Sequence, residues 1–302
     1  MARKTFCGFL LFCMMVTMLS VFAGGAYAGP YRDAVLADNP AGYWRLEEGD
    51  PTTTGIVNEV ASGESGAFFG SDVSLISSVT GPIVSESSNN AINFNKDPNA
   101  DGTFQVPNGA FASSGAEYSV EYWLKIADGG HTHQNPVVNG DHNVGGGTFH
   151  NKRTDKNRLD FGVNSGAHGT AGVAVEDLGE GWAHVVSTMR RDDVTGTSDV
   201  KMYINGVLAT LIHDPDDGDG LINDVQADNG GTPLTIGGLC CFPGGSNATV
   251  NHFNGVLDEV AVYTHVLSAE RVLAHYNAAP EPSACVLLLL GGLGLLARRR
   301  SA

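Results

Sequence analysis

Asp258 is the first residue that needs a chemical reason. It lies in Phe253-Asn-Gly-Val-Leu-Asp-Glu-Val-Ala-Val-Tyr263, which alternates like a β-strand. Alternation sets Val256, Asp258, Val260 and Val262 on one face and Leu257, Glu259, Ala261 and Tyr263 on the other. A carboxylate that shares a face with three valines must meet a donor or hold a cation, because an unpaired buried charge is too costly.

Three other clusters could do chemistry. His131, His133, His142 and His150 fall in one Gly-rich stretch. His-x-His on extended backbone can chelate Zn²⁺ or Cu²⁺, yet no thiolate or matched carboxylate accompanies it, so a polar loop is favoured. The run Asp214-Pro-Asp-Asp-Gly-Asp-Gly220 resembles part of a calcium loop. Its register is broken: Pro215 takes the first position if Asp217 and Asp219 are third and fifth, and Gln226 stands at the twelfth. A solvated acidic loop is the better reading. Cys240 and Cys241 are adjacent. A vicinal disulfide between them would be strained, since neighbouring Cα atoms lie about 3.8 Å apart, below the usual bridge range; the alternative is two small thiols in a loop. Trp44, Trp123 and Trp182 could stack on a sugar, but each sits in an apolar strand pattern, which favours core packing.

The elements that must position these groups are mostly strands. Tyr118 to Ile126 alternates most clearly, with Tyr118, Val120, Tyr122, Leu124 and Ile126 as its inner row. Asn205-Gly206 between two apolar runs signals a hairpin. Tyr31 to Pro40 reads as one helical turn stopped by Asn-Pro. After Tyr263 the period changes: Val272, Leu273 and Tyr276 take helical spacing, and Ser268 can cap the first turn. About a dozen short strands and one late helix predict an all-β, antiparallel two-sheet sandwich or jelly roll, with no linker between residues 29 and 279.

Both ends read as targeting segments. Residues 1–28 carry Arg3 and Lys4, an apolar run, and Ala26-Tyr-Ala28, which predicts a secretory signal cut after Ala28. Residues 280–302 hold Pro280-Glu281-Pro282, an apolar run of 15 residues, and Arg298-Arg299-Arg300. As a helix that run would span about 22 Å, short of the roughly 30 Å hydrocarbon layer, with its arginines at the cytoplasmic surface. This order resembles the PEP-CTERM sorting tail of exported bacterial proteins. The resemblance implies transient anchoring in the inner membrane, removal by an exosortase-type enzyme, and delivery to the cell surface or extracellular matrix.

The whole chain has 17 Lys+Arg and 33 Asp+Glu. Setting aside Arg3, Lys4, the three tail arginines and Glu281 leaves 12 basic and 32 acidic residues, a net of −20. Such a surface repels nucleic acid and suits a divalent cation or a neutral or cationic ligand. Cys7, Cys13 and Cys285 lie in the end segments, so residues 29–279 hold no disulfide framework.

Six motifs in order carry a second resemblance: Tyr43-Trp-Arg-Leu-Glu-Glu48, Tyr118-Ser-Val-Glu-Tyr-Trp-Leu-Lys125, Gly181-Trp-Ala-His-Val-Val-Ser-Thr188, Lys201-Met-Tyr-Ile-Asn-Gly-Val-Leu208, Leu234-Thr-Ile-Gly-Gly238 and Phe253 to Tyr263. Together they are similar to laminin-G-like, concanavalin A-like jelly rolls over roughly residues 31–278. That implies two antiparallel sheets with first and last strands adjacent. It also implies a structural Ca²⁺ where those strands meet, joining Asp258 to Glu48 or Glu47 with backbone carbonyls. Laminarinase-type hydrolases of this fold carry Glu-x-Asp-x-(x)-Glu on one strand. Glu176-Asp177 with Glu180 has the wrong parity, and Glu47-Glu48 lacks partners. A non-catalytic glycan-binding or adhesive module is therefore expected, with polysaccharide or a surface protein as partner. A glycan-cleaving enzyme of the same fold and a purely structural matrix component are the alternatives.

Overall fold

The structure is a computed structural model that describes residues 30–61, 63–70, 76–83, 89–94, 102–107, 117–139, 148–163, 169–192, 197–213, 233–239 and 251–279. Residues 1–28 and 280–302, Cys240 and Cys241, the acidic loop and His142 lie outside the described residues.

Helix α1 (Pro30–Ala37) opens the described chain, and Asn39, with φ 51°, ends it at the expected Asn-Pro stop. Strands follow in order: β1 (Gly42–Trp44), β2 (Ala67–Phe69), β3 (Ile76–Thr80), β4 (Asn90–Phe94), β5 (Thr103–Val106), β6 (Glu117–Ile126), β7 (His133–Gln134), β8 (Val137–Asn139), β9 (Thr148–Arg153), β10 (Arg158–Val163), β11 (Gly169–Ala174), β12 (Ala183–Asp192), β13 (Thr197–Ile204), β14 (Val207–Leu208), β15 (Ile212–His213), β16 (Leu234–Ile236) and β17 (Gly255–Tyr263). A single helical turn spans Pro51–Thr54, and a 3₁₀ turn spans Val175–Leu178. Helix α2 (Ala269–Ala278) follows, and the Ser268 side chain accepts from Arg271 N at 3.4 Å, as a cap should.

The strands form two antiparallel sheets. One runs β14-β13-β12-β6-β17-β4-β3, with β1 also on β17. The other runs β15-β11-β10-β9-β8-β16-β5-β2, with β7 on β9. Their facing sides meet in one core. Tyr118, Val120, Tyr122 and Leu124 from β6 pack there with Leu159 and Phe161 from β10 and Val185 from β12. That is the inner row read from alternation, and each such side chain contributes about 1.5–3 kcal/mol on burial.

The outer face of the first sheet is not left to water. Tyr31 and Val35 of α1 and Val272 of α2 bury a second cluster against Trp123, Val186, Tyr203 and Tyr263. Trp44 packs in the first core and Trp123 in the second, and Trp182 is half-buried against the second. The three tryptophans are therefore packing residues. Asn205 (φ 51°) and Gly206 (φ 79°) form the hairpin turn between β13 and β14, both in the left-handed region that a type I′ turn needs. Asn205 Oδ1 also accepts from His184 N at 2.9 Å.

The alternation read for β17 fails in its middle. Its register against β6 shifts between Asp258 and Ala261, and Glu259 takes φ 54°. This bulge changes parity. Leu257, Val260 and Val262 all point into the first core, while Ala261 and Tyr263 join the second. Asp258 therefore does not share a face with Val260 and Val262.

Candidate functional site

The bulge sits at a seam. On one edge of β17, β4 pairs with Gly255–Leu257 and β1 pairs with Val260–Val262. Asp258 and Glu259 fall between these two partners, so on that edge neither has a strand to bond. Side chains from both flanking strands fill the gap. Arg45, just after β1, donates to Glu259 Oε1 through Nε at 3.2 Å and Nη2 at 3.1 Å. Tyr43 Oη donates to Glu259 Oε2. Asn89, just before β4, donates from Nδ2 to Asp258 Oδ2 at 3.2 Å and to Glu47 Oε1 at 3.1 Å. Glu47 also accepts from Asn90 N at 2.8 Å.

Of the two glutamates weighed for the cation, Glu47 is the one brought to Asp258. Glu48 is turned elsewhere, with Oε1 accepting from Val57 N at 2.8 Å. Leu46, at φ 59°, kinks the chain here, and adjacent side chains diverge. Asp258 is fully buried, and its Oδ1 has no hydrogen-bond partner. Burial, then Glu259 and Glu47, push its carboxyl well above the usual range, against the pull of Asn89 and Arg45. A Cβ at Gly81 would lie 2.1 Å from Asn89 Oδ1 and 2.5 Å from Asp258 Oδ2. A bare backbone thus approaches two oxygen donors closely. An orphan carboxylate oxygen and a second carboxylate fit the oxygen chemistry of Ca²⁺, while Asn89 turns its NH₂ to both and its Oδ1 accepts from Ile83 N at 2.7 Å. Among the described residues no group of three or more His, Cys, Asp or Glu side chains is placed to hold a metal ion. A cation here would need carbonyl oxygens as well.

No sequence pattern singled out the second polar cluster. Glu121 of β6 faces the helical layer and is fully buried. It accepts from Tyr31 Oη at 2.9 Å and Tyr263 Oη at 2.8 Å, and lies 2.7 Å from His184 Nε2 and 2.9 Å from His275 Nδ1. His275 Nε2 is 2.8 Å from Asp38 Oδ2, an ion-pair distance without good hydrogen-bond alignment. Arg271 Nε donates to Asp38 at 2.7 Å. Burial alone would raise the Glu121 pKa, but His275 and His184 outweigh it and hold the carboxyl well below its usual range. Burial opposes the charge on His275, yet Glu121 and Asp38 raise its pKa overall. One buried anion thus ties α1, α2, β12 and β17 to β6. The readable signal was a glutamate in the same strand row as Trp123.

Among the described residues, His131, His133 and His150 form no metal-binding group. His150 turns into the core between the sheets, 2.8 Å from Ser187 Oγ on β12 and 5.0 Å from the rings of Tyr122 and Phe161. Burial pushes its pKa down to about 3. It is a neutral core residue. Its alternation with Leu159 and Phe161 across the ladder was the available signal. His131 and His133 lie near β7, away from the sandwich core.

One end of the sandwich opens as a cavity of about 230 Å³. Its floor is Leu124, Ile126, Val175, Leu178 and Ala183. Asp128, Gly179, Glu180 and Gly181 complete it, and these four are exposed. The sequence logic is direct. β6 runs out of apolar alternation at Ile126, and the 3₁₀ turn ends at Gly179, whose φ of 77° suits glycine. The turn throws Glu180 to the rim. Glu176, Asp177 and Glu180 therefore belong to a turn and its exit, and not to one strand face.

Residues 98–273 match a family model described as the concanavalin A-like lectin/glucanases superfamily (Laminin_G_3). Among solved structures, the chain is similar to domain 4 of AbnA, a GH43 extracellular arabinanase from Geobacillus stearothermophilus, in complex with arabinotriose. The identity is 15%, the TM-score 0.51, and the match covers 80% of this chain and 98% of that one. It is also similar to the binding domain of botulinum neurotoxin DC in complex with SialylT, at 12% identity and TM-score 0.51. There it covers 80% of this chain but 52% of the other, so it spans about half of that domain. At these identities the likeness shows the fold alone. No curated protein matches in sequence.

Proposed function

The chain belongs to the concanavalin A-like lectin/glucanases superfamily, and from that premise we propose that it is a non-catalytic glycan-binding module of an exported protein. The cavity at the end of the sandwich carries the reading. An apolar floor beneath exposed carboxylates matches the two sides of a sugar, whose C–H face is apolar and whose hydroxyls donate. At about 230 Å³ it is smaller than the roughly 300–1,000 Å³ of sites that bury larger ligands, so it takes one ring or a chain end and not a length of polymer. The glycans named with two structural neighbours, arabinotriose and SialylT, support the same class.

Binding is favoured over cleavage by the exposure of Asp128 and Glu180. The acid of a glycosidase sits in a water-excluded setting, whereas both of these side chains are exposed. The two end segments, 1–28 and 280–302, are proposed to export the chain and anchor it for exosortase-type processing at the surface. We also propose that Asp258 and Glu47, with backbone carbonyls, hold a structural Ca²⁺. It would neutralise the buried carboxylates at the seam and take no part in sugar chemistry.

The test is a glycan array on the full chain, run beside a reducing-end release assay on the same sugars. Retention without release is the expected result. Sugar release would favour the hydrolase reading, and silence in both assays would leave a structural matrix component.

A further inference from the structure

The cavity's charge narrows its ligand, and this step rests on the glycan-binding reading just given. We infer that the sugar it holds carries a free ammonium group, as an amino sugar does. Asp128 and Glu180 line the opening, and Glu176 and Asp177 sit on the same 3₁₀ turn. Glu176 Oε2 accepts from Asn157 Nδ2 at 2.7 Å, so it is partly satisfied. Lys152 is a cation close enough to Asp128 for the two charges to interact. Its Nζ donates to the Ala127 carbonyl at 2.9 Å and it is buried, with its pKa lowered chiefly by burial. Its ammonium is turned to backbone, so it is only a partial counter-charge to Asp128. Behind Asp128, Asn254 Nδ2 donates to the Asp128 carbonyl at 2.8 Å, while Asn254 Oδ1 is buried without a partner. Asn254 does not line the cavity; the rim's own acceptors are the exposed carboxylates of Asp128 and Glu180, which suit a ligand rich in donors.

The whole chain's formal charge of −16 works in the same direction. Its field disfavours approach of uronates and sulfated sugars and concentrates cations. A primary ammonium brings three donors and a positive charge to two carboxylates, and the ring beneath it covers the leucine and isoleucine floor. A neutral sugar adds no counter-charge to the carboxylates.

Ligand-observed NMR titration of the full chain at pH 6 tests this, with glucosamine, N-acetylglucosamine, glucose and glucuronate as probes. Two exposed ion pairs of ordinary surface strength amount to roughly a 2- to 30-fold preference for glucosamine over its acetylated form. That preference shrinks toward unity near 0.5 M salt, where the screening length is a few ångströms. The double variant Asp128→Asn, Glu180→Gln erases it, with the melting temperature unchanged as the folding control. Equal or tighter binding of N-acetylglucosamine, glucose or glucuronate overturns the inference and leaves the glycan-binding reading standing. If none of the four binds and the array is also silent, both fall together.

Discussion

His150 makes the sharpest prediction about stability. It is buried between the sheets beside Ser187, and its pKa is held at about 3 against an ordinary 6.5. The folded value is depressed, so the folded state stays neutral while the unfolded chain takes up a proton. The contribution is intact above pH 6.5 and is lost as pH falls toward 3. Each pH unit in that window costs about 1.4 kcal/mol. Across the whole window the loss is roughly 5 kcal/mol, comparable to the entire stability of a marginal domain.

The perturbation is His150→Gln, which keeps a donor and an acceptor near Ser187 Oγ and cannot titrate. Denaturant unfolding of both proteins at pH 7, 6, 5 and 4 gives the difference directly. Other groups slope differently. Glu121 also loses stability in acid, but only from its unfolded value of 4.5 downward. Asp258, with a raised pKa, stabilises at low pH and loses that contribution as pH rises from 3.8. The subtraction removes both. The variant should be less stable by a constant amount above pH 7, and the gap should close or reverse by about 1.4 kcal/mol per unit between pH 6 and 4. Parallel curves over that range would refute the argument that His150 is buried and neutral.

Three further outcomes follow from the packing. Glu121→Gln leaves His275 without its buried counter-charge from β6 and should cost about 3–5 kcal/mol, read by denaturation, with hydrogen exchange rising first in α1 and α2. If a cation occupies the seam, a chelator should lower the melting temperature of the wild type and leave Asp258→Asn unmoved; a wild type indifferent to chelator ends the Ca²⁺ proposal. Gly237→Ala puts a Cβ 2.0 Å from the Phe94 ring at φ 88°, so it should destabilise by roughly 2–4 kcal/mol in the same unfolding assay.

The features legible in the sequence were those set by local chemistry. The alternation of Tyr118 to Ile126 named its core row, Asn205-Gly206 named its turn, and Ser268 named its cap. What escaped was set by distant partners. Nothing near residue 259 announces a bulge, because its cause is the change of neighbour from β4 to β1 along β17. For the same reason Asp258 was correctly singled out as needing a partner but given the wrong valines for company. Choosing between Glu47 and Glu48 required the kink at Leu46. His150 looked like part of a polar loop until β9 was paired with β10 and its side chain found to point inward.

Closure of this fold falls on charge rather than on cross-links. No disulfide framework is available in residues 29–279, yet β17 must join β6, β4 and β1 at once. Two buried clusters stand at that junction: Asp258 and Glu259 with Arg45 and Asn89 on one, Glu121 with His184 and His275 on the other. The cavity at the sandwich end uses neither. Asp128 and Glu180 are exposed, and no hydrogen bond joins their side chains to either cluster among the described residues. The two tasks are therefore separable. Substitutions at Glu121 or Asp258 should move stability, pH response or cation response while sparing the preference among sugars. Substitutions at Asp128 or Glu180 should move that preference while sparing the melt. A rim variant that unfolds the protein, or a Glu121 variant that folds but changes sugar selectivity, would show that closure and recognition are coupled and that this division is wrong.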